Sequence, residues 1–105
     1  LIPQTHFLET LEKIRCNQSN YQKWFMDILI NSKNLDAEFE DIKQYLHEKN
    51  PSKTLASFGR SCPVWKVIMG KNLVIEKNGV FKINSKLSKD GIKAAKKIVK
   101  GLCQE

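Results

Sequence analysis

Lys71, Lys77, Lys82, Lys86 and Lys89 crowd into the stretch from residue 71 to residue 89, with Glu76 the one carboxylate among them. Ammonium groups at that density suit neutralisation of phosphates. Lysine is a point charge, so such a set positions a polyanion more than it reads one. Upstream lie Lys53, Arg60, Ser61 and Lys66. Arg60 is the only arginine of the second half, and its planar fork suits a bidentate contact to guanine; a solvated loop residue is the alternative. A second set, Lys93, Lys96, Lys97 and Lys100, recurs at helical spacing and forms a secondary basic face. It reads as the wet side of a packed helix or as a second phosphate-contacting surface. Membrane binding is not expected, because the opposite side lacks large aromatics.

Other reactive groups converge less. Asp36, Glu38, Glu40 and Asp41 cluster where a helix should begin, and acidic side chains there complement its dipole. Ser61-Cys62-Pro63 has no histidine near it in sequence. There is no glycine-rich phosphate loop, no HExxH and no paired-carboxylate motif, so no catalytic residue and no cofactor are expected. Cys16, Cys62 and Cys103 are odd in number and widely spaced, and His6 and His47 stand alone; no metal site is expected. The cysteines read as unpaired thiols of a reducing compartment: nucleus, or cytoplasm for a prokaryotic chain.

The 105 residues suit one domain. Leu1 in place of methionine suggests a piece of a longer protein, whose remainder would hold any chemistry. No apolar run nears the roughly 20 residues of a membrane span. The net charge of +7 is polarised: residues 1–48 hold five Lys/Arg against eight Asp/Glu, and residues 49–105 hold thirteen against three. A second half at +10 suits a polyanionic partner, and lysine as a mere solubiliser is the other reading.

The elements that must position these charges are mostly helical. Phe7, Leu8, Leu11 and Ile14 predict an amphipathic helix over 3–16, with Thr5 as N-cap. Tyr21, Trp24, Phe25, Ile28 and Leu29 predict a strong core helix to Lys33, ended by Asn34. A third helix is expected from Asp36 to Glu48, then a turn carrying Leu55 and Phe58, then a fourth helix over Cys62–Lys71 closed by Asn72. Leu73 to Asn84 reads as a hairpin turned by Asn78-Gly79, with Val74, Phe81 and Ile83 inward and a largely basic opposite side. Ser88 caps a last helix to about Gly101.

Helix, short extended residue, helix, helix and hairpin is the order of a winged helix-turn-helix. Tyr21 to Asn84 resembles the winged-helix domains of linker histones and related chromatin proteins. The resemblance rests on Tyr21-x-x-Trp24, on Asp36-x-Glu38-x-x-Asp41-Ile42, and on Gly79-Val80-Phe81-Lys82-Ile83-Asn84. Trp65-x-x-Ile68-x-x-x-Asn72-Leu73-Val74 followed by Leu87-Ser88-x-x-Gly91-x-x-x-Ala95 is similar to a wider pattern found in bacterial regulators and in accessory domains of repair nucleases. The likeness covers about two thirds of the chain; it departs in a long link before the fourth helix and in Asn72 where glycine is usual. It implies a mostly α winged-helix domain over 19–105, preceded by an N-terminal amphipathic helix over 1–18. It further implies double-stranded DNA as partner, in a chromatin or DNA-repair setting. The DNA-facing set would be Lys53, Arg60, Ser61, Lys66, Lys71, Lys77, Asn78, Lys82, Lys86 and Lys89. Two alternatives stay open: a protein-interaction module with a partner on the first helix, and a noncatalytic accessory domain of a DNA-processing enzyme.

Overall fold

Asn78 (φ 53°) and Gly79 (φ 81°) both adopt the left-handed backbone that a type I′ turn demands. They join β2 (Val74–Lys77) to β3 (Val80–Ile83). The register is the expected one, with Glu76 opposite Phe81, Ile75 opposite Lys82 and Val74 opposite Ile83. Val74, Phe81 and Ile83 are buried, while Ile75, Lys77 and Lys82 are exposed. These positions come from a computed structural model, which describes residues 1–16, 20–59 and 63–103.

The hairpin is not alone. Asp36–Glu38 forms a strand, β1, antiparallel to β3, so the sheet order is β1-β3-β2. Five α-helices accompany it among the described residues: α1 (Gln4–Glu12), α2 (Tyr21–Ile30), α3 (Phe39–Lys49), α4 (Pro63–Gly70) and α5 (Lys89–Gly101), with a 3-10 turn at Leu55–Phe58. The architecture is therefore mixed α/β, not helical with a lone hairpin.

The third strand also corrects the start of α3, expected at Asp36. Leu35 takes φ 56° and swings the chain onto the free edge of β3. Its carbonyl accepts from Ile83 N–H (3.0 Å), and Phe39 N–H donates to Gly79 O (2.8 Å), so both ends of β1 are clamped. Pairing the inner edge of β3 satisfies backbone groups that packing would otherwise strand, and outweighs a modest helix preference. Only Glu40 and Asp41 remain in the first turn of α3.

Two other boundaries shift. α1 starts behind Pro3 with no side-chain cap, leaving Thr5 inside the helix, and stops at Glu12, although Ile14 beyond it is still buried. α2 ends at Ile30 because Asn31, not Asn34, folds back: its Nδ2 donates to Asp27 O (2.9 Å) and Oδ1 (2.8 Å). The remaining end signals act as read. Asn72 leaves α4 at φ 59°, and Ser88 Oγ accepts from Gly91 N–H at 3.0 Å.

One core joins every helix to the sheet. Trp65 sits at its centre, 5% exposed, with Nε1 donating to Gly59 O at 2.7 Å. Its ring stacks on Phe81 (centroids 5.5 Å, 22°) and meets Phe25 edge-on at 5.2 Å. Full burial of such side chains is worth about 1.5–3 kcal/mol each. Phe7 and Leu11 of α1 are wholly buried, and α1 packs on α5. The apolar stripe of the first helix thus packs onto the domain itself.

Cys16 and Cys103 are disulfide-bonded, with Cα atoms 5.5 Å apart across a sequence separation of 87. This corrects the reading of unpaired thiols. Distance in sequence concealed the pair, and the α1–α5 packing creates it. Cys62 lies outside the described residues.

Candidate nucleic-acid interface

The outer face of the sheet is built in two cross-strand rows, because residues directly opposite each other share a face. Ile75, Lys82 and Asp36 form one; Lys77, Val80 and Glu38 form the other. Two lysines thus meet two carboxylates. The face expected to be largely basic is charge-balanced, since β1 lays acidic residues beside the hairpin. The alternation in Asp36-Ala37-Glu38, polar-small-polar, is the period-2 signal that could have revealed the strand. Ala37 falls opposite Phe81, on the core side.

The hairpin is held firmly at its root. Asn84 N–H donates to Leu73 O (2.9 Å), its Nδ2 to Asn72 O (2.9 Å), and its carbonyl accepts from Ile2 N–H (2.9 Å). One side chain and its backbone thereby tie the hairpin to the exit of α4 and to the N-terminus.

Lys66 lies on the other side of the sheet from Lys77 and Lys82. On exposed α4 surface, it rims an apolar pocket of about 180 Å³ lined by Phe39, Trp65, Met69 and Phe81, with Glu76 on the same wall. Glu76 and Phe81 point to the core face, whereas Lys77 and Lys82 point outward. A long polyanion could reach both sets only by straddling the free edge of β2. Lys86 is exposed between β3 and α5, Lys89 is exposed at the first position of α5, and Lys71 is half-buried just after α4. Lys53 is exposed behind α3, its Nζ 5.5 Å from the centre of the Tyr21 ring, and its carbonyl accepts from His47 Nδ1 at 2.6 Å. Arg60 and Ser61 lie outside the described residues.

No family model, curated protein or solved structure matches this chain.

The secondary basic face divides. Lys97 borders a shallow depression with Glu12 and Ile98, between α1 and α5. Lys96 and Lys100 face the other way, into a cleft of about 380 Å³ that Lys23, Trp24 and Lys49 also line. The sequence reading missed these last three. They come from α2 and α3, and no spacing along the chain links them to α5. Within that cleft Asp27 accepts from Tyr45 Oη at 2.5 Å. Burial, then the bond to Asp27, then the charges of Asp27 and Glu48 push the Tyr45 phenol far above its ordinary value, so it remains a donor.

Among the described residues no cluster of three His, Cys, Asp or Glu could hold a metal ion, and no helix is long and apolar enough to cross a membrane.

Proposed function

We propose that this chain is a winged-helix domain that binds double-stranded DNA, mainly through phosphates and with weak sequence specificity. The observation that carries the reading is the element order α2–β1–α3–α4–β2–β3 with β3 central in the sheet. That order supports a winged-helix reading in which the short first strand closes the wing sheet. In this reading α4 approaches the major groove and the hairpin meets the neighbouring backbone.

Weak specificity follows from what α4 offers. Its exposed described positions are Lys66, Val67 and Gly70, a single charged donor with little capacity to distinguish bases. Arg60 is the only arginine of the second half, and its planar fork suits a bidentate contact to guanine. Asp36 and Glu38 temper the wing, so affinity draws also on Lys71, Lys86 and Lys89. The chromatin or repair setting and a nuclear location rest on the sequence resemblance alone.

A second reading, docking to a protein, is favoured by Ile75, which is 41% exposed on the outer face of the edge strand β2, beside Lys82. Anisotropy of a labelled duplex of about 20 base pairs, followed across a salt series, tests the first reading. Absence of binding at the lowest salt would leave the protein-docking reading in its place.

A further inference from the structure

We infer that the Cys16–Cys103 bond is a redox latch: closed, it fastens the end of α1 to the end of α5, and opened by a low-molecular-weight thiol, it lets α1 detach from α5 at that end. The inference is independent of the duplex reading, since neither cysteine lies on the sheet or on α4.

α1 is a strap laid along α5, and its buried side chains are Phe7 and Leu11, with Ile14 beyond its last turn. The leading end of the strap is tied by hydrogen bonds. Ile2 N–H donates to Asn84 O (2.9 Å), and Gln4 Oε1 accepts from the N–H of Ser88 (2.8 Å), the N-cap of α5. Gly91 makes room for that amide, because a Cβ there would stand 2.3 Å from Gln4 Oε1. The trailing end is held differently. Among the described contacts, the hydrogen bonds of Lys13, Ile14 and Arg15 run back into their own segment, to Thr10 O, Leu11 O, Glu12 O and Ile14 O. The tie across to the end of α5 is the disulfide.

Two features of that tie suit opening better than permanent bracing. Both cysteines are half-buried at the margin of the core, which leaves them within reach of a small thiolate, and exchange requires that access. Leu102 (φ −66°, ψ 142°) and Cys103 (φ 61°) trace the two central positions of a type II turn, the second of which ordinarily falls to glycine. With the bond open, Cys103 is free to leave this left-handed backbone, where its β-carbon crowds the following carbonyl. Opening oxidises two thiols of the reductant. The first thiolate attacks one sulfur of the bond and expels the other cysteine as a thiolate, which takes a proton; the second thiolate resolves the mixed disulfide. A peroxide reverses this: one cysteine becomes a sulfenic acid with loss of water, and the other condenses with it, releasing a second water.

The test uses the full 105-residue chain carrying Cys62→Ser, so that the pair holds its only thiols, with the parent as second background. Buffers of graded reduced-to-oxidised glutathione ratio are the probe, and alkylation with mass measurement reads the bonded fraction. That fraction should fall from full to nil across the ratios cells maintain. A bond that stays closed in excess reduced glutathione is a permanent brace and overturns the latch. Hydrogen exchange then reads the motion. With the bond closed, amides 8–12 of α1 and 25–29 of α2 should exchange at comparable rates. With it open, the α1 set should exchange about a hundredfold faster than the α2 set, within the range that such cross-links hold. Equal acceleration of both sets, which is general destabilisation, or acceleration of neither would overturn the inference. Tryptic cleavage at the exposed Lys13 and Arg15 should follow the open form, and peroxide should abolish it. Cys16→Ser/Cys103→Ser should behave as the open form at every ratio.

Discussion

Asp36 and Glu38 should act as a brake on DNA binding by the wing, and their removal gives the sharpest test of the proposed interface. Each lies in a cross-strand row with a hairpin residue: Asp36 beside Lys82, Glu38 beside Val80 and one further from Lys77. If all five lysines near the hairpin met phosphates, the slope of log K against log salt would be about −4.5, at ~0.9 per contact. A rise from about 50 to about 200 mM salt would then cost roughly 500-fold in affinity. Lys77→Ala/Lys82→Ala removes two contacts, so the slope should fall to about −2.7 and the same salt step should cost only about 40-fold. Asp36→Asn/Glu38→Gln deletes no contact and should leave the slope near its parent value. A carboxylate about 8 Å from a phosphate costs roughly twofold in water, so the double variant should bind about fivefold tighter at low salt, fading as screening sets in. Duplex anisotropy on the three proteins reads all of this. If both double variants bind as the parent does, the wing face does not touch DNA. If Asp36→Asn/Glu38→Gln binds more weakly, the carboxylates are themselves contact groups, and a basic protein becomes the better partner.

Three structural predictions follow from the same geometry. Replacing Tyr45 by Phe should cost about 1–2 kcal/mol by leaving Asp27 with Asn31 alone, as urea melts at neutral pH would show. Because the folded phenol titrates above its unfolded value of about 10, the Tyr45 contribution is complete below that pH and lost above it, so parent and variant should converge in strong alkali. Cys103→Ser opens a loop spanning 87 positions, for which chain entropy predicts about 4–5 kcal/mol and measured cases commonly give about 2–4. Thiol titration of the unreduced, denatured parent should find one thiol of three, and finding three would refute the bond. Asn78→Ala should destabilise by about 1–2 kcal/mol, whereas Asn78→Gly should be nearly neutral, because only the backbone at φ 53° is at stake.

What the sequence by itself determined about this protein is its local geometry. Asn78-Gly79, Asn72 and Ser88 specify turn, helix end and cap through their own backbone and side-chain preferences, and the hairpin register then follows from the period-2 pattern of Val74, Phe81 and Ile83. The lysines were visible too, as a count and a spacing. Tertiary structure alone decided which charges share a surface. Asp36 and Glu38 read as helix-start acids until the open edge of β3 drew them into a strand and set them against Lys77 and Lys82. Lys96 and Lys100 read as a wet helix face until packing brought Lys23, Trp24 and Lys49 to the same cleft. Cys16 and Cys103 read as strangers until α1 lay along α5. Backbone preference acts over a few residues and is written in them. Pairing, packing and charge act through space, between segments whose separation along the chain carries no signal of their approach.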